Sequence, residues 1–344
     1  MFKEDEDFTD ALAISIIFLC CIFIWMNEVK TVTILVPLFN EALVLPELFY
    51  RLQNLIDEST LQVNVLLVDD GSTDGTPILI QQHLQTNKFF SAIFLSRNFG
   101  HAIALTAGLA NIHHTSDAVF IIDGDLQDPP ELLQDFVIKM QEGYEVVYGI
   151  RTHRKEGFIK KICYKFYYRL LESFSNIKMP LDAGDFSLIS KNVVALLNNL
   201  PEESRYLRGL RSWVGFNQAG ISYQRQTRQG GGEPKYSYRS LFKLAFNGIF
   251  NFSEFPIRLI GIMGFLSVFI SLLYLALTIY KKLVFGTVPE GFTALIFAIV
   301  LFSGVQLLSL GIIGEYILRI FFQVKQRPLY IIKSKIIRSN TVDE

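Results

Sequence analysis

Two aspartates one residue apart, Asp123 and Asp125, are the first candidates for chemistry in this sequence. They follow a short apolar run, Ala118–Ile122, that is typical of a buried strand. Two carboxylates at this spacing can share a hard divalent cation, and Mg²⁺ or Mn²⁺ prefers such oxygen ligands together with substrate phosphates. The ion would stabilise a diphosphate leaving group. A solvated turn that caps a helix explains the same pattern, so the motif is weak evidence by itself.

A second acidic cluster, Asp69-Asp70-Gly71-Ser72-Thr73-Asp74, follows another β-rich run. Aspartates at a strand end can accept hydrogen bonds from a base N–H group and from ribose hydroxyls. A capped turn between a strand and a helix would explain Ser72 and Asp74, but not the pair of acids before them. Asn40 and Glu41 follow the first β-rich run in the same way.

A basic cluster interleaved with aromatic and aliphatic side chains occupies residues 151–169. A cluster of this composition can bind a phosphate group near a membrane surface. A solvated basic face is the alternative. Arg151 stands apart because it follows the predicted strand Val146–Gly149 after one residue. The candidates for a phosphate-binding site are Arg151, Lys161, Lys165 and Arg169.

The elements that must position these residues alternate between strands and helices, which predicts βαβ units and a parallel sheet. In an open sheet of this kind, ligands bind at the carboxyl ends of the strands, where the acidic clusters lie. The sequence has neither a Gly-x-Gly-x-x-Gly fingerprint after the first strand nor a phosphate-binding P-loop. The predicted strands are 32–36, 63–68, 91–95 and 118–122, with helices at 46–58, 77–84 and 103–112.

Two charge-free runs, Leu259–Ile279 and Phe292–Gly314, are each long enough to cross a hydrocarbon core of roughly 30 Å. The short segment between them predicts a helical hairpin. Lys and Arg are more frequent outside the hairpin loop than in it, which places the large domain and the basic tail in the cytoplasm.

Two further apolar stretches flank the domain. Ala11–Met26 follows an acidic start, which argues against a signal peptide. We favour a third membrane segment. The alternatives are an interfacial helix and a mistaken start codon upstream of the true domain. Ser240–Phe255 has its apolar residues mostly on one helical face, which predicts a helix on the cytoplasmic leaflet or a core helix. The predicted organisation is an N-terminal segment 1–30, a catalytic domain 31–238, a juxtamembrane helix 239–257, a hairpin 258–318 and a basic tail 319–344.

Composition excludes some classes of function. The 344 residues carry a formal net charge of −1, so no strongly basic surface argues for a nucleic-acid partner. The three cysteines have neither metal-ligand spacing nor an even disulfide framework.

Four segments together resemble the family 2 inverting glycosyltransferases, in particular those that use polyprenyl phosphates: dolichyl-phosphate mannose synthase and the bactoprenol glucosyltransferases. The similarity runs from about residue 32 to about residue 332. It implies an α/β fold, a GT-A (Rossmann-like) and mostly parallel sheet domain followed by a C-terminal α-helical transmembrane hairpin. The four segments are 36–41, 68–74, 96–101 and 123–130.

The resemblance also assigns roles to positions. It implies that a nucleotide sugar is bound by Pro37, Asn40, Glu41, Asp69, Asp70, Arg97, Asp123, Gln127, Arg228 and Lys235. It implies that Mg²⁺ or Mn²⁺ is held by Asp123, Asp125 and Gln127. The residues expected to serve transfer are Asp125, Asp182, Asp185, Arg208 and Arg211, and the division of roles between Asp182 and Asp185 stays open. Pro234 replaces a serine that is common in the family's loop over the donor, so that contact is lost.

The expected reaction is attack of a lipid phosphate oxygen on the anomeric carbon with inversion. The residues expected to hold this acceptor phosphate are Arg151, Lys161, Lys165 and Arg169. A phosphate is already a nucleophile at neutral pH, so positioning and charge stabilisation should carry catalysis. The leading expectation is glucose from UDP-glucose to undecaprenyl phosphate at the bilayer. Mannose from GDP-mannose, N-acetylated sugars and amino-arabinose stay open, as does a homo-oligomer, for which a tetramer is known among relatives.

Three rival functions fit the residues less well. A processive polysaccharide synthase would resemble a Gln-x-x-Arg-Trp pattern, which is not found around Arg211-Ser212-Trp213. A catalytically silent scaffold or nucleotide-sugar sensor would tolerate loss of the Asp-x-Asp pair, which is intact. A lipid flippase would need ionisable residues inside the predicted spans, and there are none.

Overall fold

The computed structural model describes residues 29–152, 183–203, 205–225, 255–286 and 291–338. The chain divides into two compact units. One comprises residues 1–157, 179–235 and 328–344, and the other comprises residues 158–178 and 236–327. The predicted segment 11–26, and all of the predicted segment 240–255 except its last residue, lie outside the described residues.

The first unit alternates strands and helices, as the sequence predicts. Its strands are β1 (Thr31–Leu38), β2 (Gln62–Asp69), β3 (Phe90–Leu95), β4 (Ala118–Ile121), β5 (Val146–Thr152), β6 (Ala183–Ser190), β7 (Gln218–Gln224) and β8 (Ile332–Ile336). Its helices are α1 (Leu45–Glu58), α2 (Thr76–Thr86), α3 (His101–Leu109), α4 (Leu133–Gln141), α5 (Lys191–Asn199) and α6 (Leu207–Trp213), with a 3₁₀ turn at Pro130–Leu132.

The strands form one sheet in the order β7-β5-β6-β4-β1-β2-β3-β8. The central strands β4, β1, β2 and β3 run parallel to one another. β6 runs antiparallel to both β4 and β5, while β7 runs parallel to β5. The predicted α/β domain with a mostly parallel sheet is therefore confirmed, and the carboxyl ends of β1 to β4 share one edge.

Hydrophobic burial on both faces fixes the centre of the sheet. Every residue of β1 is buried, as expected for a parallel strand covered by helices on both sides. α1 buries Leu45, Leu48, Phe49 and Leu52, a helical spacing that puts one apolar face on the sheet. Each such side chain contributes roughly 1.5–3 kcal/mol by leaving water.

The last strand departs from the predicted basic tail. Residues 332–336 pair antiparallel with β3, with Phe94 opposite Ser334. The strand reads Ile-Lys-Ser-Lys-Ile, and lysines on an edge strand discourage pairing with other chains. The same lysines give the segment the composition of a solvated tail, and for this reason a tail was predicted where the structure has a strand.

The second unit contains two long helices that contact each other, α7 (Phe255–Phe285) and α8 (Phe292–Lys325). Pro256–Phe285 and Leu301–Lys325 are long and apolar enough to cross a membrane, by length and composition, and their apolar windows are not buried by protein. The 31 residues of α7 span roughly 46 Å at about 1.5 Å per residue, which exceeds a hydrocarbon core. In the last turns of α8, Arg319 pairs with Glu315 at 2.8 Å.

A histidine is packed between two phenylalanines beside the sheet. The ring of His83 stacks on Phe49 at a centroid distance of 3.9 Å and meets Phe90 edge-on at 4.5 Å. Its Nε2 atom is buried and has no hydrogen-bond partner among the described residues. Burial lowers the pKa of His83 because the charged imidazolium is poorly solvated there.

We therefore expect the stability of the fold to decrease as the pH is lowered, partly through His83. The unfolded chain binds the proton more readily, so this contribution is complete above the unfolded pKa of about 6.5 and is lost as pH falls through the lower folded pKa. Replacing His83 with Phe keeps a stacked ring and removes the titration. The melting temperature of His83→Phe should fall less than that of the parent chain between about pH 7.5 and 5.5. The exposed His114→Phe is the control, and an equal fall in all three proteins would contradict the assignment.

Candidate active site

The loops after β1 and β2 are joined by reciprocal hydrogen bonds. The amide of Asn40 donates to Ser72 Oγ at 2.9 Å, and the amide of Thr73 donates to Asn40 Oδ1 at 2.9 Å. Asp74 accepts from the amide of Ala42 at 3.2 Å. Asn40 has a left-handed backbone (φ 54°), which asparagine tolerates better than most residues. Two of the predicted nucleotide-binding segments thus form one rigid platform.

Asp70 anchors the loop after β3 to this platform. Its carboxylate is 3% exposed and accepts from the amides of Phe99 at 2.7 Å and Gly100 at 2.9 Å. Burial raises the pKa of Asp70, and the two amides oppose that shift. The resemblance implies that Asp70 binds the nucleotide; in the structure each of its oxygens accepts one hydrogen bond from the backbone that leads into α3.

The other described residues that were predicted to bind the nucleotide sugar lie at the same edge of the sheet. Asp69 is 2% exposed, both of its oxygens lie 3.4 Å from the amide of Ser72, and burial raises its pKa. The guanidinium of Arg97 is exposed and lies 4.0 Å above the ring of Phe99. Pro37 is buried in β1, and Glu41 is partly exposed.

The candidate metal residues lie on a strained turn after β4, Asp123–Gln127, which we call the metal turn. Leu126 has a left-handed backbone (φ 58°), which is uncommon for a leucine, and its side chain is buried in the core. The residues on either side, Asp125 and Gln127, are partly exposed, as is Asp123. The amide of Gln127 donates to Asp125 Oδ1 at 3.2 Å. The buried leucine therefore holds its neighbours at the surface.

These residues fit a hard divalent cation. They supply two carboxylates and one amide oxygen, and Mg²⁺ or Mn²⁺ accepts such a partial set when phosphates and water complete it. Within the described parts of the chain, no group of three or more His, Cys, Asp or Glu residues could hold a metal ion alone. The set therefore suits a metal that is shared with a phosphorylated ligand.

Asp185 on β6 lies at the centre of a charged cluster. Arg208 donates to its two oxygens at 2.9 and 2.8 Å. Burial would raise the pKa of Asp185, but Arg208 and His101 hold it well below its usual range. His101 Nε2 lies 3.4 Å from Asp185 and 3.7 Å from Asp123, which connects the cluster to the metal turn. Burial would lower the pKa of His101, but the hydrogen bond to Asp185 and the two carboxylate charges raise it to about 9.

A second buried carboxylate, Asp128, follows the metal turn. It is 0% exposed and accepts a hydrogen bond from the hydroxyl of Tyr223 on β7. Arg225 lies 3.8 Å from both Asp128 and Asp123. Burial, and then the charge of Asp123, raise the pKa of Asp128 to about 6, although Arg151 opposes the shift.

The two arginines of α6 occupy different environments. Arg208 reaches Asp185, whereas Arg211 is 5% exposed and donates to the carbonyl of Gly184 at 3.4 Å. The guanidinium of Arg211 also lies 5.5 Å from the ring centre of Tyr148, and burial lowers its pKa to about 10. Arg211 therefore lies beneath the cluster and not at its surface.

Sequence reasoning gave no role to His101, Asp128, Tyr223 or Arg225. His101 and Asp128 stand inside recognised segments, so their place at the strand ends was a usable signal. Tyr223 lies in β7 and Arg225 directly follows it, and no local pattern reveals that this strand pairs with β5. Other predicted residues lie outside the described chain, namely Asp182, Lys161, Lys165, Arg169, Arg228 and Lys235.

Comparison with known proteins gives consistent matches. The family model described as Glycosyl transferase family 2 matches residues 33–197. The Bacillus subtilis uncharacterized glycosyltransferase YkcC is 42% identical over 302 residues, covering 88% of this chain and 93% of the relative. The SfII prophage-derived bactoprenol glucosyl transferase of Shigella flexneri is 36% identical over 303 residues, covering 88% and 97%.

Among solved structures, glucosyl-3-phosphoglycerate synthase from Mycobacterium tuberculosis, in complex with Mn²⁺, UDP and glucosyl-3-phosphoglycerate, matches with a TM-score of 0.42. It is 18% identical and covers 64% of this chain and 76% of that chain.

Removing the Asp70 carboxylate should free the loop after β3. In Asp70→Ala the amides of Phe99 and Gly100 lose their acceptor, which should make local opening easier by about 2–4 kcal/mol. Hydrogen–deuterium exchange of the peptide spanning residues 96–100 would measure it. Asp57→Ala, at the exposed end of α1, should leave this peptide unchanged. Full protection of the peptide in Asp70→Ala would contradict the anchoring role.

Proposed function

The chain belongs to glycosyl transferase family 2, and from this premise we propose that it transfers a hexose from a nucleotide sugar to a polyprenyl phosphate with inversion. Glucose from UDP-glucose and undecaprenyl phosphate are the proposed substrates. The observation that carries the proposal is the Asp123–Gln127 turn, beside the cluster of Asp185, Arg208 and His101. The relatives named as bactoprenol glucosyl transferases, alignable over nearly their whole length, support the choice of sugar and lipid.

The donor side would be built on the platform after β1 and β2. Asn40, Glu41 and Asp69 are the proposed contacts for the nucleoside, and Asp70 holds the loop that carries Arg97. Asp123, Asp125 and Gln127 would hold Mg²⁺ or Mn²⁺, which when bound neutralises diphosphate charge. Proposed contacts outside the described residues are Arg228 and Lys235.

The cations of the central cluster would stabilise charge as the diphosphate leaves. Arg208 is oriented by its two hydrogen bonds to Asp185, and a guanidinium held in this way loses little entropy on binding a phosphate. Arg211 would support this arrangement from below through the Gly184 carbonyl. Asp185, or Asp182 before it, would orient the sugar or stabilise positive charge at its anomeric carbon.

The acceptor would meet the donor from the side of Arg151. In the proposed step, a lipid phosphate oxygen forms a bond to the anomeric carbon while the bond to the diphosphate oxygen breaks. The phosphate is ionised near neutral pH, so no strong base is needed, and Arg151 would orient it. Lys161, Lys165 and Arg169 are proposed to extend this basic site.

The membrane location follows from the acceptor and from α7 and α8. A polyprenyl phosphate is confined to a bilayer, and two helices of sufficient length and apolarity lie between β7 and β8 in the chain. We therefore place the protein in the cell (inner) membrane with its catalytic unit on the cytoplasmic side. A homo-oligomer remains a prediction from the resemblance.

A transfer assay tests the proposal. The protein in detergent would be given undecaprenyl phosphate, Mg²⁺ or Mn²⁺ and a panel of labelled UDP- and GDP-sugars, and lipid-linked label would be extracted into organic solvent. We expect transfer from UDP-glucose that is abolished by a chelator and reduced at least about a hundredfold in Asp125→Ala. Asp135→Ala, an exposed aspartate on α4, should transfer normally.

The donor panel distinguishes the alternatives. Transfer from GDP-mannose or another sugar instead would replace the proposed donor while keeping the reaction class. Absence of lipid-linked product from every donor, with nucleotide binding intact, would overturn the proposal and favour a nucleotide-sugar sensor.

A further inference from the structure

We propose that Tyr223 is a positioning residue for the acceptor phosphate. Its hydroxyl fixes the guanidinium of Arg151 and connects it to Asp128, next to the metal turn. The inference rests on the proposed function, because Arg151 meets the acceptor phosphate only within that proposal.

The sheet places Arg151 and Tyr223 side by side. β5 and β7 are parallel, and Arg151 pairs directly with Tyr223, so the two side chains share one face of the sheet. The Nε–H of Arg151 donates to the Tyr223 hydroxyl at 3.3 Å. That hydroxyl donates in turn to Asp128 Oδ1. The phenol oxygen therefore acts as acceptor toward one partner and as donor toward the other.

Two glycines on the same face make room for this pair. A Cβ atom on Gly149 would lie 2.7 Å from the Tyr223 ring and 2.5 Å from the Phe186 ring. A Cβ atom on Gly184 would lie 3.0 Å from Arg151 Nη2. The Tyr223 ring packs on Phe186 with centroids 5.0 Å apart. Close packing thus determines where the ring lies, and the ring places its hydroxyl between Arg151 and Asp128.

The hydroxyl matters because Asp128 is fully buried. Its second oxygen, Oδ2, has no hydrogen-bond partner in the described chain, and the Nε atom of Arg225 lies 3.8 Å from Oδ1. Burial raises the pKa of Tyr223, so the phenol keeps its proton and remains a donor to this carboxylate. Without the hydroxyl, Asp128 would keep only its charge interactions with the arginines. Arg151 would lose the hydrogen bond that orients its guanidinium.

The decisive variant is Tyr223→Phe, which keeps the ring and its contact with Phe186. We expect the KM for undecaprenyl phosphate to rise about tenfold, because a hydrogen bond to a charged group is lost. The KM for UDP-glucose and the affinity for UDP with Mn²⁺ should stay at the parent values, while the melting temperature should fall by a few degrees because buried Asp128 loses its hydrogen bond. A residue that served packing alone would not separate acceptor from donor in this way.

Two further variants make the test specific. Tyr144→Phe removes the hydroxyl of a partly buried tyrosine before the other end of β5, and it should leave every constant unchanged. Arg151→Lys removes the Nε–H group and should itself raise the acceptor KM. If Tyr223 acts through Arg151, adding Tyr223→Phe to Arg151→Lys should change the acceptor KM by less than about twofold.

The outcomes separate this inference from the proposed function. Multiplicative effects in the double variant, an unchanged acceptor KM in Tyr223→Phe, or an equal rise in the donor KM would each overturn the role of Tyr223. A parent chain that transfers no sugar to undecaprenyl phosphate would overturn the proposed function, and this inference with it.

Discussion

Buried carboxylates need donors, and the arrangement of the site depends on this requirement. Asp70 and Asp128 are buried at one edge of the sheet, and Asp185 at the same edge keeps only 15% of its side chain exposed. A buried ion that lacks partners costs several kcal/mol, so each of these groups must be matched by its surroundings. Backbone amides match Asp70, an arginine matches Asp185 and a phenol matches Asp128. Satisfying the three acids fixes the loop after β3, the orientation of α6 and the end of β7.

The same constraint gives the site an alternating pattern of charge. His101 lies between Asp123 and Asp185, and Arg225 lies between Asp123 and Asp128. Two phosphorylated substrates repel each other. Cations that neighbouring carboxylates hold in place can contact both anionic groups and reduce this repulsion. The carboxylates thus keep the basic side chains in place, and the basic side chains meet the anions.

The sequence predicted the elements well where the signal is local. Apolar patterns typical of strands and of helices, in alternation, predicted β1 to β4 and their helices to within a few residues. The rule that parallel strands end at one edge predicted that the acidic clusters lie close together. Residues that meet through register were missed, since Tyr223 reaches Asp128 only because β7 pairs with β5. The sequence also did not show which arginine of α6 faces the cluster. Arg208 and Arg211 are one turn apart on a seven-residue helix, and only their tertiary surroundings distinguish them.

The edge strand β8 has a consequence for biosynthesis. It completes the sheet beside β3 but follows both long apolar helices in the chain, so the ribosome makes it after them. During translation the backbone groups on the outer side of β3, away from β2, stay unpaired while the apolar helices emerge. The catalytic unit therefore reaches its final form only after those helices have left the ribosome, which delays completion of the enzyme until its apolar helices have been made.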